Sequence, residues 1–250
     1  KLSDELGQQF IIDNRPGAAT IIGADLVAKS PADGYTLLLG DNSTYAVNSS
    51  LYKKMPYDAL KDFSPITLTA RFALVLVVNP SVQAQSVQDF IRLAKSQPGK
   101  LSYASNGSGS LPHLTTEWFV SQAGISLTHV PYRGSAQALP DLVAGRTTMM
   151  MDIIVSALPL VEGGKLRALA VTGAQPTTRL PGVPTIAASG YPGFASDQWY
   201  GLFAPAGTPP AIVDKINADI RAVTEASTLR GQMWQRGAEI QYAGSQPFAR

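Results

Sequence analysis

Hydroxyl side chains and glycines are the residues with which this chain could do chemistry, and their densest run is Ser105-Asn106-Gly107-Ser108-Gly109-Ser110. It lies between a strand-like stretch, Leu101–Ala104, and a helix-like one that opens Leu111-Pro112-His113. A glycine turn at a helix start leaves backbone N–H groups unpaired at the positive end of the helix dipole. Such donors suit an anion, and Ser105, Ser108 and Ser110 add hydroxyls around them. The same turn also serves as a plain helix cap, and both readings stand. Gly17-Ala18-Ala19-Thr20 and Asp41-Asn42-Ser43-Thr44 are further turns of small and polar residues. Each sits where ligands of open α/β sheets gather, beyond the carboxyl end of a strand.

Other chemistries find less support. The two histidines, His113 and His129, have no metal-ligand spacing between them and read as structural or surface residues. Without cysteine, the chain can form no disulfide, thiolate nucleophile or cysteine-held zinc. A Ser108–His129–Asp152 triad can be drawn on paper, but serines are many and no Gly-x-Ser-x-Gly elbow frames one. No phosphate loop is present either; Gly163-Gly164-Lys165-Leu166 lacks the hydroxyl residue. Asp152 ends an apolar run, where an acid fits a helix cap or a ligand acceptor. Arg133 fits a carboxylate partner or a solvated turn. Met149–Met151 reads as core packing of a buried strand, and Trp199 with Tyr200 as cleft lining or core. Donors accumulate, with few fixed charges. That is the chemistry of holding a small anion, with no cofactor, metal or catalytic group implied.

The elements that must position these residues alternate. Strands are expected at Gln9–Asp13, Tyr35–Gly40, Lys61–Thr69, Ala73–Asn79, Leu101–Ala104, Thr147–Asp152, Leu166–Thr172 and Ser196–Pro205, and Thr128–Ser135 reads as a strand and turn. Helices are expected over Ile21–Ser30, from the Ser43-Thr44 turn to Tyr52, over Val87–Ser96 behind a Ser86 cap, and from Ser110. Others follow over Ala136–Ala144 with Ser135 as cap, Ser156–Glu162, Ala211–Ala226 and Leu229–Arg236, the last before Ala238–Tyr242. Gln175–Gly190 reads as a proline-rich surface connection. Strands alternating with helices mean α/β. Ala73–Asn79 and Trp199–Ala204 are apolar enough to cross between lobes, giving residues 1–75 with 200–250 as one lobe and 76–199 as the other, with a ligand cleft between.

The 250 residues carry 20 basic and 18 acidic side chains, scattered without a block of like sign. That pattern argues against a nucleic-acid-binding tail. No apolar run reaches the ~18 residues of a membrane span. Lys1–Gly7 reads as the tail of a helix and Ser245–Arg250 as the start of another, so the chain reads as trimmed at both ends.

Whole motifs then carry a resemblance. Arg15-Pro16-Gly17-Ala18, Ile22-Gly23-Ala24-Asp25, Pro31-Ala32-Asp33-Gly34-Tyr35 and Leu51-Tyr52-Lys53-Lys54-Met55-Pro56-Tyr57-Asp58 stand in order. Pro98-Gly99-Lys100-Leu101, His129-Val130-Pro131-Tyr132-Arg133-Gly134, Gly164-Lys165-Leu166-Arg167 and Trp199-Tyr200-Gly201-Leu202-Phe203-Ala204-Pro205 follow. Together they resemble the Bug-type, or TctC-like, extracytoplasmic solute receptors of tripartite tricarboxylate transporters. The resemblance implies a type II periplasmic-binding-protein (Venus-flytrap) fold of two α/β lobes, periplasmic and monomeric. It implies a small carboxylate ligand, passed to the membrane permease subunits or, alternatively, presented to a sensor kinase. By position it implies a ligand site drawing on Ala18, Ala19, Ser43, Thr44, Ser105 to Ser110, Tyr132, Gly134, Ser135 and Asp152. The family's first strand and glycine loop would precede Lys1, and Ala19 stands where the family often has glycine.

Overall fold

The two apolar runs expected as separate strands are one: β2 (Phe63–Val78) continues unbroken for 16 residues. No glycine or proline interrupts it after Pro65, and Ala70 and Phe72 are buried on either side of exposed Arg71. In this computed structural model the described residues are 2–15, 17–225 and 227–237. They divide into two compact units, Lys1–Arg71 with Trp199–Arg250, and Phe72–Gln198. Ala238–Tyr242 and the expected helix start at Ser245–Arg250 lie outside the described residues.

Unit 2 is built on the second half of β2. It pairs antiparallel with β5 (Met149–Ile153), Leu76 opposite Met151, and with β6 (Arg167–Val171) across a bulge at Leu76 and Val77. Beyond β5 lies β3 (Ser102–Ser105), parallel to it, and then β4 (Thr128–Pro131), parallel to β3. Alternate side chains point to opposite faces of a strand, and the two cores follow that period. Leu76, Val78, Met149 and Met151 pack with Phe90, Tyr103, Phe119 and Phe194. Val75, Val77 and Met150 pack with Leu142, Ile154 and Leu158. A sheet covered on both faces needs continuous apolar runs, so the three methionines are core. Helix α4 (Val87–Ser96) starts where Ser86 accepts the Asp89 N–H at 3.1 Å. Helix α5 (Leu111–Ala123) is capped by Ser110, and α6 (Ser135–Val143) by Gly134 rather than Ser135. Helix α7 (Ile154–Glu162) is capped by Ile153, so Asp152 does not act as its cap. The expected surface connection at Gln175–Gly190 is partly core, because Leu180 and Ile186 are buried in the two clusters.

In unit 1, β1 (Leu38–Asp41) pairs antiparallel with β7 (Asp197–Pro205), Gly40 opposite Gly201. A Cβ on Gly40 would lie 2.5 Å from Tyr45 Cε2, so glycine there admits the Tyr45 ring, which stacks on Phe203 with centroids 3.8 Å apart. Helix α8 (Pro210–Glu225) lays Val213, Ile216 and Ile220 on Ile66 and Ala204. Shorter helices are α1 (Leu2–Leu6), α2 (Ile21–Ala28) and α9 (Ser227–Gln235). The expected polar helix after Asn42 begins as a π turn, Ser43–Val47, and continues as α3 (Asn48–Leu51). The strand expected at Gln9–Asp13 is irregular: Ile11 and Ile12 are about four-fifths exposed, and none of the described strands pairs with it.

Candidate functional site

Parallel pairing of β4, β3 and β5 brings their carboxyl ends to one edge of the unit 2 sheet. The turns 106–110 and 132–134 therefore meet the last residues of β5, Asp152 and Ile153. Gly107 has φ +118°, and a Cβ there would lie 3.2 Å from the Tyr132 carbonyl, so only glycine lets the first turn pass the second.

Asp152 ties the turns together. The Asn106 amide donates to its Oδ1 at 3.2 Å, and the Ser135 hydroxyl lies 2.8 Å from the same oxygen and 3.2 Å from Asn106 Oδ1. Asp152 is fully buried, and its Oδ2 has no hydrogen-bond partner among the described residues. Burial pushes its carboxyl above the usual range, while Ser135, the Ile153 N–H and Asn106 pull part of the way back.

The glycine turn is also held from within. Ser110 donates to the Gly107 carbonyl at 2.7 Å and accepts the His113 N–H at 3.4 Å. The Gly107 N–H donates to Ser105 Oγ at 3.2 Å, and Ser105 Oγ lies 2.6 Å from His129 Nε2. The Gly109 N–H donates to His113 Nδ1 at 3.2 Å. The two imidazoles face one another at 4.3 Å, with Tyr103 stacked on His129 at 4.8 Å and hydrogen-bonded to Glu117. Burial lowers the proton affinity of both rings; the neighbouring His113 lowers His129 further, and Glu117 opposes the shift in each.

Of the residues expected here, Ser105, Gly107, Gly109 and Ser110 bond within the glycine turn and to the two histidines, Asn106, Ser135 and Asp152 form a second group, and Gly134 starts α6 beside it. Ser108 is exposed, and Tyr132 spends its hydroxyl on Asp141 at 2.8 Å. The paper triad does not assemble: His129 engages Ser105, and Asp152 engages Ser135 and Asn106. Among the described residues no group of three or more His, Asp or Glu could hold a metal ion.

Unit 1 holds its expected residues in a separate corner. Ala18, Ala19 and Thr20 all have positive φ (45°, 48° and 76°), a left-handed run that non-glycine residues rarely adopt. Asn48 secures it by donating to the Ala19 carbonyl at 2.7 Å, and the Thr20 and Thr44 hydroxyls meet at 2.9 Å. Thr44 donates its N–H to Asp41 Oδ1 at 3.1 Å, and Tyr57 donates its hydroxyl to the Thr44 carbonyl at 2.9 Å. Ser43 is buried beside Thr44.

Sequence reasoning did not single out Asn48, and it did not foresee that the two histidines lie against one another. Asn48 follows Thr44 by four residues, a helical spacing that puts both on one face. Pairing Leu101–Ala104 in parallel with Thr128–Pro131 sets His129 against Tyr103.

The fold recurs among known proteins. Residues 1–250 match the family model of the tripartite tricarboxylate transporter family receptor, TctC. The chain belongs to this family. The TctC fold is shared with solved structures at close superposition. One is R. palustris Rpa4515 with adipate: TM-score 0.95, 39% identity, covering 99% of this chain and 83% of that one. Another is the periplasmic binding protein BugD: TM-score 0.93, 30% identity, covering 99% and 83%. A third is MatC (Rpa3494) from Rhodopseudomonas palustris with bound malate: TM-score 0.89, 32% identity, covering 96% and 81%. The fold is therefore that of the periplasmic solute-binding proteins, as the motif resemblance implied. Among the described residues, no helix of this TctC receptor is long and apolar enough to cross a membrane.

Proposed function

We propose that this TctC-family chain is a periplasmic receptor that captures a small carboxylate without transforming it and delivers it to the permease subunits of a tripartite tricarboxylate transporter. The observation that carries the reading is the glycine turn before α5, where amide and hydroxyl donors crowd a helix start and Asp152 braces the surrounding loops. Donors of this kind bind an oxyanion through dipoles rather than through a full positive charge. Family membership supports the same reading, and so do the adipate and malate named for the related structures. In unit 1 the candidates are Ala18, Ala19, Ser43 and Thr44; in unit 2 the proposed binding set is Ser105 to Ser110, Gly134, Ser135 and Asp152. Tyr132 belongs to it through its backbone.

Titration calorimetry of the full-length protein against adipate, malate, citrate, glutamate and benzoate tests the proposal. One member is expected to bind one-to-one with a Kd in the micromolar range or tighter, about −8 kcal/mol or better. Absence of binding across the panel, or turnover of the bound acid, would overturn it.

A further inference from the structure

Among the described residues, only two of the hydrogen-bonding side chains around the glycine turn can take up a positive charge. Those two, His113 and His129, are the chain's only histidines, and both end on that turn. Their arrangement has a chemical consequence. To accept the Gly109 N–H, His113 Nδ1 must present a lone pair, so the ring is neutral and carries its proton on Nε2. The N–H that points at the imidazole is also one of the donors the turn has to offer an anion.

Resting on the receptor reading, we propose that His113 is a ligand-linked residue of the cradle: it occupies the Gly109 N–H in the empty site and takes up a proton at Nδ1 when a carboxylate displaces it. The proton comes from solvent, no covalent bond changes, and the imidazolium becomes the counter-charge that the cradle otherwise lacks. Facing the ring are His129 from β4, Tyr103 from β3 and Glu117, one turn further along α5. Asp152 from β5 is engaged by Asn106 and Ser135, and exposed Arg133 gives its N–H to Gln137. With the rings 4.3 Å apart, a proton on one opposes a proton on the other. A single proton is therefore taken up. Glu117 favours that charge, and burial keeps it off until the anion arrives.

The sign follows from linkage. An anion that favours protonated His113 must itself bind more tightly as that proton becomes available. If the anion raises the proton affinity of the ring about tenfold, the affinity for malate should rise between pH 8 and pH 6, by about tenfold at most, where malate stays ionised. Calorimetry of the full-length protein with malate and adipate at both pH values reads this directly, and buffers of different ionisation enthalpy count the proton taken up. NMR titration of the two imidazoles, assigned through His113→Asn, should show that saturating ligand moves the pKa of His113 upward. The Asn variant, whose Oδ1 replaces Nδ1 as acceptor, should lose the pH slope. An affinity that is flat or weaker at pH 6, an unmoved His113 under saturating ligand, or a slope kept by the variant would each overturn the inference. Failure of every carboxylate to bind at both pH values would overturn the receptor reading itself, and this inference with it.

Discussion

Replacing Asp152 with alanine is expected to weaken carboxylate binding by about fivefold to a hundredfold. The acid contacts two loops at once, through Asn106 and Ser135, and all three segments border the glycine turn. Truncation leaves the Asn106 amide without its acceptor and lets Ser135 swing onto Asn106 alone. A buried donor stranded in this way costs roughly 1–3 kcal/mol, and each 1.4 kcal/mol lost from binding is about tenfold. Asp152→Asn keeps the Oδ1 acceptor and should recover most of the loss. The same pair of variants separates binding from folding. Because burial raises the folded-state pKa of Asp152, the folded protein holds the proton more tightly than the unfolded chain does. Stability should therefore fall as pH rises from the ordinary carboxyl range to that raised value, and level off above it. Urea midpoints at pH 5 and pH 8 should show this decline in the parent and less of it in Asp152→Asn. Full-strength binding by Asp152→Ala would remove the acid from the site.

Phe119→Ala should be the most damaging single truncation for stability, costing about 3–5 kcal/mol. The ring is fully buried in the core facing α4, edge-on to Tyr191 at 5.7 Å and to Phe194 at 6.5 Å. It is the anchor of α5, whose first turn presents the glycine donors. A loss of this size corresponds to a drop in thermal midpoint of roughly 10 °C or more for a chain of this length. Circular dichroism melts read it. Phe119→Leu, which keeps most of the volume, should fall by less than half as much; equal losses would mean that the cost lies in ring contacts rather than in the cavity.

How much of this was legible beforehand depended on how local the determinant was. Helix α4 keeps the expected bounds because its cap, Ser86, and its apolar positions lie within ten residues. The family reading also held, since it rested on many short motifs in order and not on any long-range contact. Gln9–Asp13 is not a strand because a strand is a property of a pair, and its apolar run Phe10-Ile11-Ile12 says nothing about whether a partner lies alongside. The division of β2 into two strands failed for the opposite reason: Ala70-Arg71-Phe72 looks like a break, yet the strand continues straight through it. Within the site, the turn before α5 could be read from its composition. The Asp152 hub could not, because its partners lie 17 and 46 residues away and depend on the strand order β4-β3-β5. The contact between the two histidines could not be read either, because it depends on how α5 packs beside β4.

The corner formed by Ala18, Ala19 and Thr20 bears on how this sequence can drift. Three successive side chains held in a mirror-image backbone give up conformational energy that glycine would not. At these positions the usual ranking of replacements is inverted, with glycine and asparagine the gentle exchanges and valine or isoleucine the ruinous ones. Keeping alanine there trades ease of folding for a stiffer bend, and Asn48 is the residue whose loss would let that bend spring back.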